Sequence, residues 1–373
     1  MTLQTRRILF FLLLVVFVIL APLMVIYSLG LTIDFNKKTF VETGSIFIKS
    51  KTPQTSVFLN GALVKQTSFF SGSALLTGVA PGTYVLRIEK DGYQPWSRII
   101  AVLPALVTEL RNTLLVQDRI DIATSSLLEL GMLKDATSSP LRTQLTLSTQ
   151  GVLSERVNRT KLTLASHVHA FGIVNNRIYV IDTTGGLERI NPVSGEVETL
   201  GNPGLSLAST PIRFFGSPNN DVSLLDASGD LFLYQDGTAT FATLSRNVAQ
   251  PHFDLTGQKI LFIKGQEIRM IWLDDNHYQP FQKKWTEEKI IRLSSPIRDA
   301  LWWYGDSAHI VFRTRDGIFL TELDGRGGRS TVEIYSNPLD PGRNVGVDEI
   351  LTIPDAPNSI FFRQNKTWHT ITL

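Results

Sequence analysis

His167 and His169 stand two residues apart, a spacing that puts both imidazoles on one face of a strand and could offer two metal ligands. Six histidines are scattered along the chain, and a metal centre needs a third ligand and an ordered outer shell as well. Two exposed or hydrogen-bonded side chains are the simpler expectation, and no metal or other cofactor is expected. Carboxylates recur beside expected turns of the sequence: Asp182, Asp226, Asp230, Asp274, Asp275, Asp316 and Asp324. None has the alternating oxygens, the glycine and the terminal glutamate of a calcium loop. Asp and Asn at such places make Asx turns, which is the role expected of them. A pair of them could act as acid and base, but spacing in sequence cannot set their separation. Ser, His and Asp occur without a G-x-S-x-G elbow, and no phosphate-binding loop, dinucleotide fingerprint or kinase set is present. Gly185-Gly186 and Gly325-Arg326-Gly327-Gly328 read as inter-strand turns. No catalytic residue is assigned, and the chain is read as a non-enzyme.

The remaining candidate is aromatic. Trp302-Trp303-Tyr304 is a dense run on an expected strand, with Trp272, Trp285 and Trp368 elsewhere. Neighbouring strand residues point to opposite faces, so Trp302 and Trp303 cannot enter the same layer. Packing between sheets is the leading reading. The alternative makes Trp302, Trp303 and Tyr304 an exposed platform for stacking on sugar rings or a protein partner.

Composition narrows the field further. The 373 residues are 43% hydrophobic and 19% charged, with a net charge of +2 and no long run of one sign. That gives no nucleic-acid surface. The absence of cysteine removes disulfides, thiolate nucleophiles, Cys-ligated zinc and iron–sulfur clusters.

The elements that must carry these residues begin with a run from Ile8 to Ile33 containing no charge. Its 26 residues exceed the number needed to cross a bilayer, about 20. Arg6 and Arg7 precede it and Asp34 follows, so the positive-inside rule leaves residues 1–7 in the cytoplasm and the bulk of the chain outside. Pro22 should kink the helix without abolishing it. A cleaved signal peptide fits less well, since the run is long and Tyr27-Ser28-Leu29-Gly30 is a poor cleavage site.

Residues 42–117 then alternate as strands do. Strands are expected at 44–50, 56–59, 83–90, 97–103 and 106–116, with turns at Asn60-Gly61 and Asp91-Gly92. Pro81-Gly82 suits a type II turn, with positive φ at the glycine. In the last strand Leu110, Leu114 and Val116 share a face with Asn112. The order Gly44-x-Ile46-x-Ile48-x-Ser50, Pro53, Val57-Phe58-Leu59-Asn60-Gly61, Val79-Ala80-Pro81-Gly82-Thr83-Tyr84 and Gly92-Tyr93 resembles a PEGA domain over about residues 44–116. Ala80-Pro81-Gly82-Thr83 takes the place of the literal tetrapeptide. The resemblance implies an extracytoplasmic β-sandwich-like module of bacterial and archaeal surface proteins, and brings no catalytic residues with it.

Residues 118–142 read as a linker, and beyond them the chain repeats. RIYVID from Arg177, DVSLLD from Asp221, KILFIK from Lys259, HIVFRT from His309 and SIFFRQ from Ser359 are spaced by 44, 38, 50 and 50 residues. A second strand follows each after 8 or 10 residues, another precedes each pair, and a fourth follows in most. Four short strands every 40–50 residues is propeller grammar, and residues 143–373 resemble the TolB-like or WD40-like propellers of bacterial envelopes. The last repeat lacks its outer strand, which 161–165 could supply; 144–148 and 151–156 could belong to an early blade. Six blades are expected, with five the alternative.

The fold class expected is thus mainly β: a transmembrane helix at 8–33, the PEGA-like domain at 42–117, then the propeller. The function expected is a single-pass, extracytoplasmic binding or scaffold protein of the cell envelope, its propeller recognising a protein or polysaccharide partner. The alternative is an exported carbohydrate-active hydrolase or lyase.

Overall fold

The computed structural model describes residues 3–28, 30–34, 39–125, 145–157, 160–192, 194–207, 211–337 and 346–373. The chain divides into two units: residues 1–119 with Gly325–Ser330, and residues 120–324 with 331–373.

The first unit opens with a helix, Leu3–Ser28, which contains Pro22. No residue of its stretch Gln4–Pro22 is buried. Its 26 residues extend about 39 Å at 1.5 Å per residue, enough for a hydrocarbon core of about 30 Å. The helix is as long as the charge-free run but begins and ends five residues earlier. Gly30 takes a φ of 69°, and Leu31–Asp34 is a strand paired with Thr39–Glu42. Gly30 in a left-handed conformation cannot continue an α-helix, so the end of the run turns into a hairpin.

The rest of this unit is two facing sheets. One has the order Ser73–Val79, Gly44–Ser50, Val107–Thr113, with the last pair parallel. The other runs Ala62–Gln66, Ser56–Leu59, Gly82–Glu89, Trp96–Val102. The alternation of Trp96–Val102 places Trp96, Ile100 and Val102 against Ile46, Ile48, Val57, Leu86, Ile88 and Leu110. Asn60 and Gly61, with φ of 50° and 83°, make the expected hairpin. Two expectations fail locally. Gly82 is not a positive-φ turn residue; it starts a strand and pairs with Val102, and the nearest positive φ is at Gly78. Asn112 does not share a face with Leu110: a bulge opposite Ile48 and Ser50 shifts the phase, so Asn112 is exposed and Thr113 buried.

The second unit is built of six antiparallel sheets among the described residues. Four are four-stranded meanders in chain order: Val168–Val174 to Val197–Gly201, Arg213–Gly216 to Thr240–Ser245, Ala249–Phe253 to Glu287–Arg292, and Asp299–Trp303 to Thr331–Ser336. A three-stranded sheet, Leu145–Leu147, Leu153–Val157 and Thr160–Ala165, precedes them. The sixth sheet joins Glu349–Ile353, Ala356–Gln364 and Thr367–Thr372 to Ile122–Ser125. The closing outer strand is therefore Ile122–Ser125, from the stretch expected to be a linker, and not 161–165. The latter stays beside its own hairpin partner, Leu153–Val157. The remainder of the expected linker, from residue 126, lies outside the described residues.

First strands of successive sheets pack on one another, from Leu145–Leu147 on Val168–Val174 through to Asp299–Trp303 on Glu349–Ile353. The approach is close enough to demand glycine. A Cβ on Gly172 would lie 2.4 Å from the Phe214 ring, and one on Gly216 would lie 2.4 Å from Val174 Cγ1. Repeated four-stranded sheets stacked through their first strands, with the N-terminal strand completing the C-terminal sheet, make this unit a β-propeller.

Candidate functional site

Trp302 and Trp303 are both 1% exposed, so neither forms a surface platform. Trp302 packs among Leu261, Met270, Trp272, Ile310 and Phe312, and its Nε1 donates to the His252 carbonyl at 2.8 Å. Trp303, on the opposite face, meets the His309 ring edge-on at 5.7 Å. Tyr304 is partly buried, and burial pushes its hydroxyl pKa up, helped by the nearby Asp254 carboxylate. The strand that carries them lies between two other sheets, so alternation sends the indoles into two different inter-sheet layers. Lys259 joins this packing. Its Nζ lies 5.3 Å from the Trp272 ring and 5.5 Å from the Trp302 ring, and pairs with Asp254 at 3.1 Å.

The histidine pair does not assemble either. His167 precedes the strand with φ of 62°, and a bulge between Val168 and Ala170 breaks the alternation that would align it with His169. Among the described residues no group of three or more His, Asp or Glu side chains is placed to hold a metal ion. Two of the turn aspartates, Asp182 and Asp226, make Asx turns. Asp182 Oδ1 accepts from Thr184 N at 2.7 Å and Gly186 N at 2.9 Å. Asp226 Oδ1 accepts from Ser228 N at 3.0 Å and Asp230 N at 2.9 Å. Asp254 and Asp306 do the same one turn earlier in their sheets, and Asp306 Oδ2 also meets His309 Nδ1 at 2.7 Å.

The aromatic surface lies elsewhere, in the segment 273–286 between strands Glu267–Trp272 and Glu287–Arg292. Here Tyr278 is 62% exposed, Phe281 67% and Trp285 42%. The corresponding connections in the two preceding sheets span only 191–196 and 236–239, and that of the following sheet 323–330. The long segment is nevertheless ordered from within. Asn276 Nδ2 donates to the carbonyls of Tyr278 at 3.0 Å and Pro280 at 2.7 Å, and its Oδ1 accepts from Tyr278 N. Asp275 Oδ1 accepts from Lys284 N at 2.7 Å, and Trp285 N donates to Trp272 O at 2.7 Å. The aromatics are thus held out by backbone bonds that a random loop would lack.

This segment continues into a charged rim. Lys284 Nζ lies over the Trp285 ring at 4.9 Å and donates to Gln235 Oε1 at 3.1 Å in the adjacent sheet. The next residue, Asp236, accepts from Arg189 Nη1 at 2.6 Å and Arg177 Nη1 at 3.1 Å, one sheet further. Arg189 also holds Glu198 at 2.7 Å, and these carboxylates raise its already high pKa. Asp221 Oδ1 accepts from Asp236 N at 3.0 Å; burial, with the nearby Asp236 charge, raises the Asp221 carboxyl pKa. Aromatic loop and ion-paired rim form one continuous surface over three consecutive sheets. The sequence carried one signal of it, the 50-residue spacing from Lys259 to His309 against 38 before it, which marks an insertion.

Residues 43–116 match the family model of the PEGA domain. A search of curated proteins returns no match. Among solved structures, the Cps50 (Swd1) β-propeller domain of Myceliophteria thermophila is 9% identical, covers 78% of this chain and 92% of its own, with a TM-score of 0.38. YCF48 from Cyanidioschyzon merolae is 12% identical, covering 63% of this chain and 84% of its own, with a TM-score of 0.38. A structure of YCF48 bound to D1 peptide is 12% identical, covering 59% and 71%, with a TM-score of 0.36. The propeller assignment rests on the sheet order and closure described above. The chain combines an N-terminal apolar helix, a segment at residues 43–116 that matches the PEGA domain, and a β-propeller.

Proposed function

We propose that this is a single-pass, membrane-anchored extracytoplasmic binding protein of the cell envelope, whose propeller captures a protein or polysaccharide partner. The observation that carries the reading is the internally braced segment 273–286, which holds Tyr278, Phe281 and Trp285 in solvent beside the Arg177–Asp236–Arg189 rim. Exposed aromatics give large contact area at small entropic cost, and fixed charges beside them supply orientation. A helix of 26 residues with no buried residue in Gln4–Pro22 supports the anchor.

The test is photo-crosslinking in intact cells from a crosslinker at position 281, alongside affinity electrophoresis in gels containing envelope polysaccharide. A discrete crosslinked protein, or retardation in the gel, that Tyr278→Ala with Trp285→Ala abolishes supports capture through this loop. Neither signal, or signals indifferent to those substitutions, would sink it. The hydrolase or lyase alternative draws on Asp221, whose raised carboxyl lies beside Asp236. Under the binding reading, Asp221→Asn leaves capture unchanged, and no polysaccharide is cleaved by the parent protein.

A further inference from the structure

The PEGA-matching unit exposes apolar side chains on its sheets, such as Leu63 and Ile99, and in tips at two opposite ends. One tip is the turn 103–107, where Leu103 is 54%, Leu106 55% and Val107 41% exposed. The other is the turn at Phe69 and Phe70, 61% and 94% exposed. Only the first is tied to the helix. Thr43 donates to the Gly30 carbonyl from its N at 2.8 Å and from its Oγ1 at 2.7 Å, closing the hairpin of Leu31–Asp34 with Thr39–Glu42. That closure brings residue 43 back beside the end of the helix, two residues past Ser28. The turn in question then binds Thr43 and its neighbours. Ala105 N donates to Thr43 O at 3.1 Å, and Ser45 N donates to Leu106 O at 2.9 Å. Between them Gly44 is enclosed so closely that a Cβ would lie 2.4 Å from Leu103 O. From Gly30 to Leu106 the path is therefore a handful of hydrogen-bonded residues.

The Phe69–Phe70 tip lies at the far end of the strand Gly44–Ser50, where Ser50 N donates to Gly72 O. Seven residues of strand place it about 20 Å away. From Ile8, the first residue past the arginines, to Ser28 the helix runs about 31 Å, the thickness of a hydrocarbon core of about 30 Å, so its C-terminal end reaches the headgroup zone. Whatever lies within a few residues of that end shares its depth. Tyr84, whose hydroxyl donates to Ala80 O at 2.8 Å, belongs to the same end of the unit, because Gly82 pairs with Val102. Tyrosine is a residue of the bilayer interface.

We propose that the turn 103–107 seats in the outer boundary of the bilayer that the helix crosses, its leucines and valine among the lipid headgroups and upper acyl chains, so that the PEGA-matching unit is docked on the membrane and not merely tethered to it. The proposal rests on the helix being a retained anchor. The occupant is lipid because the hydrogen-bonded path from Gly30 leads there. The Phe69–Phe70 tip, with greater exposure, has no such path and serves as the comparison.

The chain contains no cysteine, so single labels can be placed at will. Full-length Leu106→Cys, Val107→Cys, Phe70→Cys and Phe17→Cys, spin-labelled and reconstituted in phosphatidylcholine–phosphatidylglycerol vesicles, are compared for relaxation by a lipid-soluble and a water-soluble collider. The expected result is Phe17 in the hydrocarbon, positions 106 and 107 roughly 5–10 Å below the headgroup surface, and position 70 in water. Positions 106 and 107 as accessible to the aqueous collider as position 70, with Phe17 still in lipid, would overturn the seating while leaving the anchor intact. Position 17 in water would overturn the anchor and the seating together.

Discussion

His252 lies on Ala249–Phe253, the first strand of its propeller sheet, and burial holds its pKa down at about 4 despite the nearby Asp299 carboxylate. A folded pKa below the ordinary value of 6.5 means the unfolded chain binds the proton first. Stability is then full above about pH 6.5 and falls as pH drops toward 4, by up to about 3 kcal/mol from this group. Urea unfolding at pH 7 and pH 4.5, on the parent and on His252→Gln, checks the sign: the variant should lose much of the difference. The same inter-sheet layer decides the tryptophans. Trp302→Ala should cost about 3–5 kcal/mol, because it opens a cavity and leaves the His252 carbonyl without its indole donor. Trp285→Ala should stay within about 0.5 kcal/mol, since that ring is on the surface. Denaturant midpoints separate the two. Alternation in the sequence already said that Trp302 and Trp303 enter different layers. It could not say that Trp285 is the exposed one, because exposure there depends on a loop braced by Asn276 and Asp275.

At the scale of elements, the strand–turn–strand repeats were readable because each inner strand is a short apolar run, such as KILFIK, bounded by Asp, Asn or Gly. The closing strand was not readable. Ile122–Ser125 has four residues, mostly exposed, and looks like a polar linker until Thr367–Thr372 is beside it. Only the unpaired edge that it covers makes it a strand. Deleting Ile122–Ser125 should therefore expose that edge, lowering the thermal midpoint by roughly 5–10 °C for a loss of about 2–3 kcal/mol and promoting aggregation. Differential scanning calorimetry with light scattering reads both; an unchanged midpoint would mean the strand contributes nothing to closure. The loop 273–286 makes the converse case. Asn276→Ala removes the side-chain bonds to Tyr278 and Pro280, so hydrogen exchange in the loop should rise several-fold while the global midpoint moves little.

At the scale of the molecule, the helix and the positive-inside rule argue for one topology. Arg6 and Arg7 stand directly before the apolar run, whereas the cations beyond it, Lys37 and Lys38, stand further off behind Asp34. Moving the N-terminal pair outward would be opposed by the membrane potential, so the remaining chain, with both β units, is expected outside. This expectation is physical and independent of which partner the propeller binds. A tag appended after Leu373 follows Thr367–Thr372, whose strand is paired on both sides, so it reports the propeller's location without removing a core element. In cells whose outer layers are permeabilised, external protease should remove the tag while the N-terminal fragment stays in the membrane fraction. Reversing the charge bias, with Arg6→Glu and Arg7→Glu plus lysines added after Asp34, should invert or mix the orientation and protect the tag. A tag protected in the parent chain would mean that the apolar run does not carry the bulk of the protein across. A tag exposed on a shorter, soluble chain would mean that the run is removed after export, and the partner-capturing surface would then work without an anchor.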